Sequence, residues 1–465
     1  MKKEFRYLIL IGILNFFLFI SVFILLQQKS IYNHTLGLIS ENYERSGNWD
    51  NYEIKKVAKP FVQVTNEKLD TWDASIYKCI SESMYSLETT TYVKVRPAFF
   101  PLFPMFWKIT HSSALAVSIL NYLIYIFSVA ILVVFLLNTS LLNKVIVFAI
   151  LISIPSSINY CIPYSESLFL LTTTLAMVGI TQKKYWLFFI GCFLLSMVRP
   201  ATVFVFFAIL LAEFVIFIQQ KEVRIFIKEI ALKLLPFMLG YCTVIFIQYL
   251  YTDSWTALFD ARKYWTPVVA FDHFSDWSVE GFGLSIFAMC FICLPGIVFI
   301  LSLIFFKRKT SILNYLKALC NYKNAYLFFI SIIYLIGICV FSLSTQGFDF
   351  HSFSRYILSS PLFYIVVLIM LNYLDNKPLL LVSILYCTIT LLTVLFLRNV
   401  EYGGDKIQFS FVGLYLFIIT GAYLLMKNRI PLSFQICMAL GIILLNSVWN
   451  TYLLNIFLCN GWIFT

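Results

Sequence analysis

Apolar and polar positions along this chain fall in blocks rather than alternating residue by residue. Apolar runs occupy about 7–27, 113–137, 143–158, 164–181, 185–198, 201–219, 230–251, 282–306, 325–344, 356–374, 378–397, 408–426 and 433–458, and short polar or basic segments separate them. A span of the hydrocarbon core needs roughly 20 such residues. Lipid offers the backbone no hydrogen-bond partner, so each run is expected to be a helix. The runs at 143–158 and 185–198 are short, consistent with tilted, broken or half-inserted segments. The expectation is therefore about 11–13 transmembrane helices. One long polar segment, about 28–112, interrupts the pattern after the first helix. Inside it the aromatic, proline-punctuated stretch 97–108, flanked by Arg96 and Lys108, is expected to lie in the membrane interface.

Composition agrees with that architecture. The chain of 465 residues is 61% hydrophobic and 12% charged, with a mean hydropathy of +0.87. Soluble domains do not read this way. The expected fold is an all-α polytopic membrane protein forming a single integral-membrane domain over 1–465, without internal repeat or soluble domain. Its helical bundle would cover about 113–458.

The formal charge of +11 does not indicate nucleic acid, because Lys and Arg gather in short loops between apolar runs. If the N-terminus is cytoplasmic, the loops at Lys144, Lys183-Lys184, Lys221–Lys228, Lys307–Lys323, Lys377 and Lys427–Arg429 are all inside, and all are basic. The opposite loops hold Asp253, Asp260, Asp272, Asp276, Asp349 and Asp405. The segment from Met1 resembles a signal peptide, but its apolar part is too long and no small-residue cleavage site follows. It is read as a retained first helix. Segment 28–112 thus becomes a large first extracytoplasmic loop.

Eleven cysteines lie mostly inside apolar runs. Cys290 and Cys293 form a CxxC, but no histidine or second pair accompanies them, so packing residues are the better reading. Asn33-His34-Thr35 and Asn138-Thr139-Ser140 match glycosylation sequons, a pattern frequent by chance. His111 and His273 read as solvated loop residues.

Four polar constellations fall on the extracytoplasmic side. Trp72-Asp73 stands with Tyr77, four residues on and so on the same helical face. Pro163-Tyr164-Ser165-Glu166-Ser167 opens the fourth helix, where Ser165 is a candidate cap and Glu166 suits the positive end of the dipole. Arg199-Pro200 is stranded between apolar runs. His351-Ser352-Phe353-Ser354-Arg355-Tyr356 precedes the tenth run. Each has a bland alternative: an interfacial Trp beside a solvated Asp, a helix cap, or snorkelling arginines that fix helix depth.

Taken in order, Trp72-Asp73-Ala74-Ser75-Ile76-Tyr77, Phe99-Phe100-Pro101-Leu102-Phe103-Pro104, Tyr164-Ser165-Glu166-Ser167-Leu168-Phe169 and Arg199-Pro200 resemble the PIG-V type of mannosyltransferase. That family, whose eukaryotic members act as GPI mannosyltransferase II, belongs to the GT-C class of integral-membrane glycosyltransferases. The motifs cover roughly the first 200 residues, and Ser354-Arg355-Tyr356 extends them. Ser83-Met84-Tyr85 stands where family members carry a glycine before an aromatic, which marks a divergent member.

The resemblance implies an inverting transfer of a hexose, mannose by inheritance, from a polyprenyl-phosphate-sugar donor on the extracytoplasmic face. The acceptor would be a hydroxyl of a glycan, glycolipid or protein. It implies Asp73 as the catalytic base. No metal or cofactor is expected, because the leaving group is a monophosphate and no acidic cluster such as DxD stands in the first loop. Trp72, Tyr77, Arg96, Tyr164, Glu166, Arg199, His351 and Arg355 are the candidate substrate-binding residues. Of these, Arg199 and Arg355 suit a lipid phosphate, and the aromatics suit sugar rings. The abundance of Lys, Ile, Asn and Phe points to an AT-rich genome and a bacterial plasma membrane; in a eukaryote the same topology would use the endoplasmic reticulum membrane. Two rival readings remain: a transporter or flippase, against which stand the missing repeat and the asymmetric first loop, and a non-catalytic subunit of a glycosylation complex.

Overall fold

The computed structural model describes residues 2–28, 31, 43–48, 51–56, 62–86, 94–264, 323–345, 353–374, 383–384, 386–388, 390–391, 406–460 and 463. The run 282–306 with Cys290 and Cys293, most of the run 378–397, the sequon at Asn33, His273 and His351 lie outside them. The described chain is helical apart from one antiparallel hairpin, β1 (Tyr43–Asn48) and β2 (Asn51–Lys56), in which Tyr43 pairs with Lys56 and Asn48 with Asn51.

Among the described residues, four helices are long and apolar enough to cross a membrane: α1 (Lys2–Leu26), α5 (Ala114–Leu136), α10 (Val223–Thr252) and α16 (Leu432–Leu458). Their outer faces match that setting. Leu10, Leu14, Phe17, Ile24 and Leu25 of α1 and Leu235, Met238, Phe246 and Leu250 of α10 stand exposed, an apolar surface that water does not favour. The chain is thus an all-α protein with membrane-spanning helices. Further helices complete the bundle: α6 (Leu141–Leu151), α7 (Glu166–Thr181), α8 (Tyr185–Ser196), α9 (Thr202–Gln220), α11 (Ala257–Arg262), α12 (Lys323–Thr345), α14 (Pro361–Leu374) and α15 (Lys406–Met426).

The run 143–158 is not one helix. α6 stops at Leu151 and a 3₁₀ turn follows over Pro155–Tyr160. Pro155 has no N–H and its ring clashes with the preceding turn, so the α-helix cannot continue through it. Freed carbonyls at this depth need donors. Asn450 of α16 supplies them: its Nδ2 donates to the Ser153 carbonyl (2.9 Å), the Ile154 carbonyl (3.3 Å) and Ser157 Oγ (3.0 Å).

Helices α7 and α8 meet through glycine. A Cβ built on Gly191 would stand 2.5 Å from the backbone nitrogen of Ala176, and one on Gly179 would collide with the backbone of Phe188. Small residues let helix backbones approach in this way. Gly191→Val must therefore push α7 and α8 apart, with an expected destabilisation of about 1–3 kcal/mol or more. Denaturant unfolding of the purified protein measures it, and unchanged stability would mean that the two helices separate freely.

The first loop is stapled to the bundle. The Val62 N–H donates to Asn455 Oδ1 (2.9 Å) and the Leu115 N–H to Asn66 Oδ1 (3.0 Å); Asn66 opens the short α2 (Asn66–Leu69). The stretch 97–108 forms the end of a 3₁₀ turn (Arg96–Ala98) and most of α4 (Leu102–Thr110). Three of its aromatics point inward: Phe100, Phe103 and Trp107 are buried. The Leu102 N–H donates to the Met197 carbonyl (3.0 Å) and Gln248 Nε2 to the Pro97 carbonyl (2.7 Å). The segment is docked on the bundle through these contacts.

Helix direction gives the bundle two chemically different ends. α7 runs from Glu166 toward Lys183-Lys184, and α9 from just past Arg199 toward Lys221. At 1.5 Å per residue, α9 separates its ends by about 28 Å. Lys144 of α6 bonds Glu4 of α1 (3.3 Å). Deep along α9, Glu213 accepts from Lys233 Nζ of α10 (2.6 Å) and from the Tyr326 hydroxyl of α12 (2.6 Å), which ties three helices together.

Candidate functional site

Asp73 is the first residue of α3 (Asp73–Ser83), so its carboxylate sits at the positive end of that helix. The residue before it, Trp72, has φ 55° and ψ −132°, a region that bulky side chains avoid and that costs on the order of 1–3 kcal/mol. Contacts around it hold this turn. Trp72 packs against the main core, Ser75 Oγ donates to its carbonyl (2.7 Å), and Lys78 of α3 bonds Asp70 just upstream (2.6 Å).

Glu166 is the first residue of α7 and its side chain is wholly buried. The expected cap does not form: Ser165 makes no side-chain bond to the helix start. Its Oγ instead shares a hydrogen bond of 2.9 Å with the Tyr77 hydroxyl. Tyr77 lies one turn after Asp73, its ring edge-on to Phe99 and Phe103. Burial, against the opposing pull of Arg199, pushes its phenol well above the ordinary value, so it remains a neutral hydrogen-bonding group.

Arg199 follows α8 in a turn closed by Thr202 Oγ1, which donates to its carbonyl (2.8 Å). Arg355 lies in the short α13 (Phe353–Leu358). That helix is fixed from the Pro155–Tyr160 turn, because Asn159 Nδ2 donates to Ser359 Oγ (2.7 Å), Ser359 Oγ to the Ser156 carbonyl (3.2 Å) and the Tyr160 hydroxyl to the Ser359 carbonyl.

These four charged residues form one continuous chain. Arg355 Nη1 donates to Asp73 Oδ2 (2.8 Å), Arg355 Nε to Glu166 Oε1, and Arg199 Nη1 to the same Glu166 oxygen (3.0 Å). The guanidinium of Arg355 lies over the Tyr164 ring at 4.5 Å, and that of Arg199 near the rings of Tyr356 (5.4 Å) and Phe169 (5.9 Å). A desolvated charge costs several kcal/mol unless it is paired. Here two carboxylates meet two guanidiniums, and the cluster is neutral. It is also graded in exposure: the Asp73 side chain is 22% exposed, that of Arg199 12%, that of Arg355 3% and that of Glu166 0%. Glu166 Oε2 is buried with no hydrogen-bond partner among the described residues.

The structure thus joins Asp73, Tyr77, Tyr164, Glu166, Arg199 and Arg355, with Trp72 adjacent. Two aromatics differ from the expected role. Tyr77 and Tyr164 are buried, Tyr164 beneath the Arg355 guanidinium, so in this state they support the charged groups rather than offer faces to a sugar. Arg96 is placed elsewhere. It is buried near the far end of α3, where its Nη1 donates to Ser83 Oγ (3.1 Å) and the Ser86 carbonyl (3.3 Å) and closes that end of the loop. Sequence reasoning passed over Phe169 and Asn159. Phe169 stands at i+3 from Glu166, a spacing that signals a shared helix face. Asn159 is a polar residue at the end of an apolar run, just past a proline. Comparison with protein-family models, with curated proteins and with solved structures finds no match.

Proposed function

We propose that this chain is an inverting glycosyltransferase of the GT-C class, related to the PIG-V type. It would move a hexose, mannose first among them, from a polyprenyl-phosphate sugar to a hydroxyl of a glycan, glycolipid or protein acceptor. The observation that carries the reading is the chain Asp73–Arg355–Glu166–Arg199. It sets the more exposed carboxylate of the cluster beside one buried and one half-buried guanidinium, a base next to a cationic cradle. The basic helix ends lie at the opposite side of the bundle, and positive charge marks the cytoplasmic side. The site is therefore extracytoplasmic, in a bacterial plasma membrane on the compositional argument above.

In the reaction, the acceptor oxygen attacks the anomeric carbon and its proton passes to Asp73. The bond from that carbon to the phosphate oxygen breaks, and its electron pair leaves with polyprenyl phosphate. The configuration inverts because attack and departure are on opposite faces. Negative charge moves from Asp73 to the phosphate, and Arg355 and Arg199 stabilise it there in a site of low dielectric. Arginine forks suit phosphate oxygens.

The test is release of polyprenyl phosphate from a panel of polyprenyl-phosphate hexoses by the purified protein in detergent, with membrane extract as acceptor source. Release with one hexose is the expected result. No release with any donor, alongside movement of a lipid-linked sugar across vesicle membranes, would replace this reading by the flippase.

A further inference from the structure

Glu166 is not needed for the chemistry as written, yet it is the most buried charge in the site and it bonds both arginines. With a side chain of 0% exposure, it is out of reach of a sugar or an acceptor in this state. What it does reach decides its role. Its Oε1 receives Arg355 Nε and Arg199 Nη1, so one carboxylate fixes the plane of one guanidinium and the direction of the other. Arg355 is left with Nη1 turned to Asp73. Two guanidiniums on one oxygen hold the carboxylate ionised, and two positive charges against one negative leave the Arg199–Glu166–Arg355 unit with a single positive charge.

Resting on the transferase reading above, we propose that Glu166 is a positioning residue that sets the charge of the phosphate cradle and thereby selects the donor. A unit of one positive charge matches a lipid phosphodiester, which carries one negative charge. It is undersized for a lipid diphosphate or a nucleotide sugar, which carry at least two. The same arithmetic holds through the reaction, because the charge that Asp73 loses on taking the proton is the charge the leaving phosphate gains. Arg355, anchored by Nε and adjacent to Asp73 by Nη1, can serve the negative charge at both positions without changing its anchor. Specificity for the singly charged donor is then written into a residue that does not touch it.

The test compares binding of undecaprenyl methyl phosphate, a phosphodiester with one negative charge, and undecaprenyl diphosphate to wild type, Glu166→Gln and Glu166→Asp in detergent, by titration calorimetry, beside polyprenyl phosphate release. Glu166→Gln raises the cradle by one positive charge. It should tighten the diphosphate by roughly tenfold or more, and the phosphodiester by less, since the gain scales with ligand charge. Turnover should fall because a neutral amide oxygen holds the two guanidiniums less firmly than a carboxylate does. Glu166→Asp keeps the charge and shortens the reach; it should retain the wild-type diphosphate-to-phosphodiester ratio while turning over more slowly. The ratio is the deciding readout, because a variant that is merely less well folded lowers the bound fraction for both probes alike. A Glu166→Gln ratio equal to wild type overturns the proposal while leaving the transferase intact. If Glu166→Gln does not fold, a shifted ratio in Glu166→Asp overturns it instead. Failure of wild type to release polyprenyl phosphate from any donor strikes the functional reading, and the two binding ratios still report whether Glu166 sets the cradle's charge.

Discussion

Purified Asp73→Asn should release polyprenyl phosphate about 10²–10⁴-fold more slowly than wild type, the range expected when a positioned base is removed. The substitution is nearly isosteric and disturbs little else. Arg355 Nη1 loses a charged partner at 2.8 Å, but asparagine Oδ1 can still accept from it, and Glu166 still pairs with that guanidinium. Asp73 is also the most exposed of the four charges, where the cost of an altered pair is smallest. Donor binding should therefore persist, or tighten slightly, because the cradle no longer competes with a carboxylate. Lost release with retained binding of undecaprenyl phosphate is the expected signature of a base. Release at the wild-type rate would move the base elsewhere. Loss of binding and release together would make Asp73 a structural partner of Arg355.

Much of the architecture is legible in the sequence because lipid leaves few alternatives. A backbone in hydrocarbon must bond to itself, so the apolar runs forecast α1, α5, α10 and α16 closely. The exception at 143–158 follows equally local physics. Pro155 ends the helix, while the partner that makes the break tolerable, Asn450, is nearly three hundred residues away. The same division runs through the site. Trp72-Asp73, Tyr164 to Glu166, Arg199 and Arg355 are visible as polar groups at the edges of apolar runs, but which of them pair is not. Asp73 and Arg355 are 282 positions apart, and no spacing rule connects them. Local rules also mislead where a tertiary partner offers more. Ser165 has the residue type and place of a helix cap, yet its hydroxyl goes to Tyr77. Arg96, expected among the substrate-binding residues, turns back to Ser83 and Ser86. Tyr164 has the look of a sugar platform, and its face is already covered by Arg355.

Arg355→Met should be the most damaging single change, because one side chain holds three elements: α3 through Asp73, α7 through Glu166, and Tyr164 beneath the guanidinium. Removing one member of a buried ion pair typically costs about 3–5 kcal/mol, since the charge left behind remains desolvated. Here the lower end applies. Glu166 keeps Arg199 at 3.0 Å, and Asp73 has enough exposure to recover water. Turnover should fall further than stability accounts for, by about 10²–10³, the loss seen when one preorganised donor to a developing charge is deleted. Arg355→Lys separates the two effects. An ammonium restores a charge between the carboxylates but cannot donate to both from one fixed plane. It should recover part of the stability and little of the turnover. Denaturant unfolding and polyprenyl phosphate release, measured on both variants, decide the matter. If Arg355→Lys regained turnover in proportion to stability, the fork would be irrelevant and Arg355 would be a helix tie only. If Arg355→Met unfolded at the wild-type midpoint, the chain of four charges would contribute nothing to holding α3 against α7.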